Sequence, residues 1–243
     1  MAQISRKELK SDEFVSGMDA AYEFFLQHRD RIIVAAVALA VVLGIGYGVY
    51  AWRQSRSQAA AALLAQAINT LHAPLAGPGV PAGVTDYPSS DVRAAAAAKQ
   101  FQSVISHYRS TASGQLAQYY LGLAQLDQKN DAAARKTFQA ASASGDRVAA
   151  TAAKHALANL DIAQNNLSEA HALLLQLAQQ DSPTLPRAVA VMELANLDRT
   201  YNPKEAVKYY QQLQSDYPST RTADQAKQQL ASLGVPASSV PAK

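Results

Sequence analysis

The sequence predicts an all-α chain: a single N-terminal transmembrane helix followed by a superhelix of helical hairpins. Three observations carry this reading. Residues 32–52 contain no charged side chain and ten Ile, Leu or Val. An apolar triplet at helical spacing returns about every 36 residues from Ala97 onward, and such periods mark stacked repeats. The chain is also 49% hydrophobic but only 7% aromatic, rich in Ala and Gln, which lose little freedom in a helix.

Residues 1–31 form the expected cytoplasmic tail. Phe14, Met18, Tyr22 and Phe25 recur at three- and four-residue spacing, a pattern compatible with a short amphipathic helix on a membrane surface. The stronger expectation is disorder as far as about Asp12. At a rise of about 1.5 Å per residue, 32–52 would span about 31 Å, close to the roughly 30 Å hydrocarbon core. Tyr47, Tyr50 and Trp52 gather at one end, where amphipathic rings suit headgroup depth. Ala59 to Ala62 imitate a cleavage site, but the apolar run exceeds the roughly 7–15 residues of a signal peptide core and follows a long tail. An uncleaved anchor is therefore expected.

Arg6, Lys7, Lys10, Arg29 and Arg31 precede the span, whereas only Arg53 and Arg56 follow it before Arg93. Lys and Arg in short flanks favour the cytoplasmic side, which places the C-terminal domain outside the cytoplasm. Within the span, Ala36, Ala40, Gly44 and Gly48 stand four apart on one face. Such a stripe admits a close neighbouring helix; small residues are also simply frequent in membrane helices. Whether a helix docking there belongs to a second copy, giving a homo-oligomer, or to another protein stays open.

Residues 53–91 read as a connecting helix with Ala62, Leu63, Ala65, Ala67, Ile68 and Leu71, then a loop containing Pro74, Gly77, Pro78, Gly79, Pro81, Gly83 and Pro88. A loop of this length is mobile or a contact element. Residues 92–218 hold the repeats. Ala97, Phe101 and Val104 are followed by Ala134, Phe138 and Ala141, by Ala170, Leu174 and Leu177, and by Ala206, Tyr210 and Leu213. Each triplet lies on one helix face. A preceding helix is marked by Leu121-Gly122, and then by the string Leu-Ala-Asn-Leu-Asp at 157–161 and again at 194–198. Lys129-Asn130-Asp131, Asn165-Asn166 and Asn202-Pro203 mark turns within the pairs. Residues 219–243 read as a capping helix from Thr220 to Leu233 and a frayed end.

No active site emerges. The chain has no cysteine and five scattered histidines, which removes disulfides, thiolate chemistry and metal-ligand spacing. A net charge of +3 without a basic, aromatic stripe gives no case for nucleic acid. Asp161 and Asp198 read as solvated or capping groups. Asn166-Leu167-Ser168 fits the glycosylation acceptor by pattern only. The expectation is a non-enzyme with no cofactor and no metal.

These residues resemble the tetratricopeptide repeat: Leu121, Gly122, Ala134, Phe138 and Ala141 in the second hairpin, residues 165–170 in the third, and Ala206, Tyr210, Leu213 and Pro218 in the fourth. The usual Trp is absent, and Ala158 and Ala195 replace Gly, so looser pairing is expected there. The resemblance implies protein binding on a concave side lined by the first helix of each hairpin. The candidates are Leu116, Tyr119, Leu123, Leu126, His155, Asn159, Ile162, Val191 and Asp198; Leu123, Leu126 and Ile162 read equally as hairpin core.

The whole layout resembles the ancillary subunit family of the SecYEG translocon, membrane-anchored tetratricopeptide-like proteins of the bacterial inner membrane. The residues carrying it are Tyr119 to Ala124 (Tyr-x-Leu-Gly-x-Ala) and Tyr108 to Ser110 (Tyr-x-Ser). It implies a periplasmic repeat domain and, as partners, translocon subunits, periplasmic chaperones and exported chains. A scaffold for envelope assembly or division is the alternative, and a sensor or transporter accessory a third.

Overall fold

The computed structural model describes residues 6–78, 80, 81, 83 and 85–235, with side chains from Phe25 onward. Among these the chain is helical apart from turns and one isolated bridge between Leu75 and Tyr87. The helices are α1 (Arg6–Leu71), α2 (Ser90–Tyr108), α3 (Ala112–Asp127), α4 (Asp131–Ser142), α5 (Arg147–Ala163), α6 (Leu167–Ala178), α7 (Arg187–Tyr201), α8 (Pro203–Asp216) and α9 (Arg221–Ser232). Two compact units result, Met1–Ser55 and Arg56–Lys243.

The first unit is the N-terminal part of α1. Helix begins at Arg6, so the disorder expected as far as Asp12 is not what the backbone shows. No proline interrupts residues 6–71, and a helix once nucleated extends at one hydrogen bond per residue. The side chains of Phe14, Met18 and Tyr22 lie outside the described residues, and Phe25 is exposed. From Phe25 to Leu71, α1 is long and apolar enough to cross a membrane; its most apolar window has a mean hydropathy of 2.6 and none of that window is buried. Ala36, Ala40, Gly44 and Gly48 are all exposed, and nothing comes within 4 Å of where a Cβ would stand on either glycine.

The second unit is a row of helical hairpins. The last turns of α1 pair with α2, then α3 with α4, α5 with α6 and α7 with α8, while α9 closes the row. From α2 onward each helix packs on the next; in addition α3 packs on α5 and α7 on α9. The lead alanines Ala97, Ala134, Ala170 and Ala206 are fully buried, as are Phe101, Phe138, Leu174 and Tyr210 four residues on. Each bulky side chain so buried contributes about 1.5–3 kcal/mol. Leu64, Ala67 and Leu71 of α1 join Phe101, Val104, Ala117 and Leu121 in one core cluster. A second, around Phe138, links α4 and α5. The third runs from Ala158 to Leu230.

The helix ends follow from local chemistry. Ser89, Thr111, Asn130, Asp146 and Thr220 each accept a hydrogen bond from the backbone N–H three residues on, satisfying donors that a helix start leaves open. Pro203 opens α8, where its missing N–H costs nothing. Lys129 (φ 58°) and Asn165 (φ 62°) adopt the left-handed conformation that lets Asn130 and Asn166 N–H groups reach back to the carbonyls of Gln125 and Asp161. Gly122 is required by close approach, because a Cβ there would overlap the Phe138 ring. At the equivalent Ala158 and Ala195 the methyl is fully buried in the cluster that holds Leu174 and Tyr210, so these pairs remain packed without glycine.

The described residues between α1 and α2 are tied together at the two ends of the segment. Ala76 N–H donates to the Tyr87 carbonyl at 2.8 Å and Tyr87 N–H to the Pro74 carbonyl at 3.1 Å. Arg93 Nη1 donates to the Ala73 carbonyl at 3.0 Å, holding the neck of the loop against α2.

Candidate functional site

The first helices of the hairpins, α3, α5 and α7, carry the candidate residues, and the junctions between them differ. Between α3 and α5 the face is filled. Tyr119, Leu123 and Leu126 pack on the cluster of Phe138, Ala153 and Leu157, with the Tyr119 ring 6.0 Å from that of Phe138 and 5.2 Å from that of Tyr120. Burial first, and the neighbouring Tyr120 second, push the Tyr119 phenol above its ordinary value. Gln115 Oε1 accepts the Asp146 N–H at 2.6 Å across the same junction.

Between α5 and α7 the backbones separate, and no Cα of one comes within 8 Å of the other. The connection into α5 covers residues 143–146, whereas that into α7 covers 179–186 and buries Leu185. Arg187 fixes its far end, through N–H to Asp181 Oδ1 at 3.0 Å and Nε to the Ala178 carbonyl at 2.9 Å. An open cleft of about 470 Å³ lies at this junction. Ile162, Leu167 and Leu197 supply its apolar wall. Its polar wall consists of Asn159, Asn165, Glu193, Asn196 and Thr200.

One polar pair crosses the gap: His155 Nε2 stands 2.7 Å from Glu193 Oε2, with Asn159 Nδ2 3.4 Å from the same ring nitrogen. Tyr210, whose phenol burial holds above its ordinary range, donates to Asn196 Oδ1 at 2.7 Å.

Of the sequence-predicted candidates, His155, Asn159 and Ile162 come together at this cleft. Tyr119, Leu123 and Leu126 are half-buried and belong to the closed junction, whereas Leu116, also half-buried, packs on the cluster around Phe101. Val191, 2% exposed, and Asp198, 0% exposed, must be corrected: both turn into the core and cannot meet a ligand. Neither Asp161, 2% exposed, nor Asp198 is the solvated or capping group expected. Asp161 receives Arg135 Nη2 at 2.6 Å, and Asp198 Oδ2 has His171 Nε2 at 3.4 Å. Arg135 and His171 lie one repeat apart, so the second helix of one hairpin sends a basic side chain to the buried aspartate of the next. Burial raises the Asp198 carboxyl above its ordinary range; His171 opposes that shift and Glu205 adds to it.

Asn165, Leu167, Glu193, Asn196, Leu197 and Thr200 of the lining were not among the candidates. The repeated five-residue string could have found Asn196, since it occupies the place of Asn159. Among the described residues no group of His, Asp and Glu could hold a metal ion.

These features define a repeat scaffold with an open cleft between two inner helices. A family model described as tetratricopeptide repeat-like domain matches residues 23–189, and the chain belongs to that family. Domains of this kind generally mediate protein–protein interaction. Two solved structures are similar, both of nearly identical TPR-like repeats of a putative kinesin light chain from Podosopora anserina, one of them a single-residue variant. Each is 20% identical, covers 58% of this chain and 76% or 77% of its own, and superposes with a TM-score of 0.46. No curated protein matches.

Proposed function

We propose that the chain is a membrane-anchored, non-catalytic protein-binding module whose α5–α7 cleft receives polypeptide, and that it serves as an accessory of protein translocation and periplasmic chaperone hand-off. The open cleft carries the reading: it offers an apolar floor and polar walls to a ligand at a junction that its neighbour closes. The exposed apolar span supports an anchor, and the family match begins at residue 23, so it takes in that span as well as repeats. The Lys/Arg bias supports a cytoplasmic tail of residues 1–31 and a periplasmic domain beyond the 32–52 span. In this reading 53–91 connects anchor to repeats 92–218, and 219–243 caps them. Resemblance to the ancillary translocon subunits supplies the partners. Anchoring raises the effective concentration of the cleft beside emerging chains without demanding tight contacts.

Photo-crosslinkers placed at Asn159 and at Gly48, in membranes, test the proposal. Cleft adducts with exported chains and chaperones, together with span adducts to translocon subunits, are expected. Adducts only with division or wall-assembly proteins would transfer the role to an envelope scaffold. A cleft that traps no polypeptide would end the peptide-binding reading.

A further inference from the structure

The chemistry of the cleft narrows what it can hold, and this step rests on the peptide-binding reading above. Its lining contains one charged group, Glu193, and no Lys or Arg. Two of its polar groups are held by partners, Asn196 from behind the cleft and Glu193 from across it. Because Asn196 Oδ1 is occupied by the Tyr210 hydroxyl, its Nδ2 remains as a donor toward the cleft. Because Glu193 Oε2 faces His155, its other oxygen remains as an acceptor. Glu193 and Asn196 stand three residues apart on α7, hence on one face with Cβ atoms about 5–6 Å from each other. A fixed donor beside a fixed acceptor complements the carbonyl and amide that an extended main chain presents along its edge. The apolar floor of Ile162, Leu167 and Leu197 then receives a side chain from the strand. A carboxylate on the ligand would meet Glu193 with no Lys or Arg in the lining to offset the repulsion, which selects against acidic segments.

We infer that the α5–α7 cleft holds an extended, apolar, non-acidic polypeptide segment through its main chain, tolerating many sequences and rejecting those with carboxylates.

The test uses the full chain in lipid nanodiscs, with empty nanodiscs as control, and fluorescence anisotropy of three labelled ten-residue peptides. One carries Leu and Lys, the second has each Lys replaced by Glu, and the third is the Leu/Lys peptide with alternate backbone nitrogens methylated. The acidic peptide is expected to bind at least tenfold more weakly than the first, and the methylated one at least fivefold more weakly. Glu193→Gln should shrink the gap between basic and acidic peptides to under threefold. Thr200→Glu, which adds a carboxylate without touching the His155 pair, should widen it. Equal binding of acidic and basic peptides, or indifference to methylation, overturns the inference while Asn159 adducts with polypeptide keep the broader reading intact. Failure of all three peptides alongside Asn159 adducts to a folded partner also overturns it. Failure of all three with no adducts removes both.

Discussion

The α3–α5 and α5–α7 junctions are built from the same repeat and end differently. At the first, Tyr119, Leu123 and Leu126 fill the gap over Phe138, and Gln115 ties the incoming loop. At the second, Asn159, Ile162 and Asn196 occupy the facing positions, the incoming connection is longer, and the His155–Glu193 pair spans the space. Repeat architecture thus fixes where an opening can occur, while side-chain volume and connection length decide whether it does.

That contrast can be broken at the closed junction first. Phe138→Ala removes the fully buried ring beneath Tyr119 and should cost about 3–5 kcal/mol, read as a lowered urea midpoint. Gly122→Ala drives a methyl into the same ring and should cost about 1–3 kcal/mol by overpacking; a smaller loss would show that the ring can swing aside.

The smallest expected effect lies beside the open junction and depends on pH. Burial raises the Asp198 carboxyl in the folded chain, so its ionised form is the disfavoured one. The stability this group contributes is full below the ordinary aspartate value of about 3.9 and declines as pH rises through the raised folded value. Asp198→Asn should flatten that decline. The change should appear in hydrogen exchange of α6 and α7 between pH 4 and pH 7, and not in α3 and α4. An equal response in both pairs would mean that the buried aspartate does not act locally.

The helices were legible because Ala, a bulky residue and a third apolar group recur on one face at a fixed period, and every such triplet is buried. The cleft was only partly legible. His155, Asn159 and Ile162 follow from their place on a first helix. Val191 and Asp198 share that placement, but their rotation about the helix axis depends on what packs behind them. The burial of Asp198 required knowing that His171, on a different helix, would face it. The α5–α7 separation was hidden for the same reason, since it depends on the folded path of residues 179–186. Helix at Arg6 was missed because a polar segment with weak patterning gives no local sign that a neighbouring apolar stretch will extend through it.

The 179–186 connection leaves the cleft lining to other segments, yet its length bears on the spacing of the walls. Lengthening or trimming it offers a way to alter the bore while leaving every ligand-facing side chain in place. Variation among related chains could therefore retune gauge and chemical preference separately, one through an outer loop and the other through the inner helices.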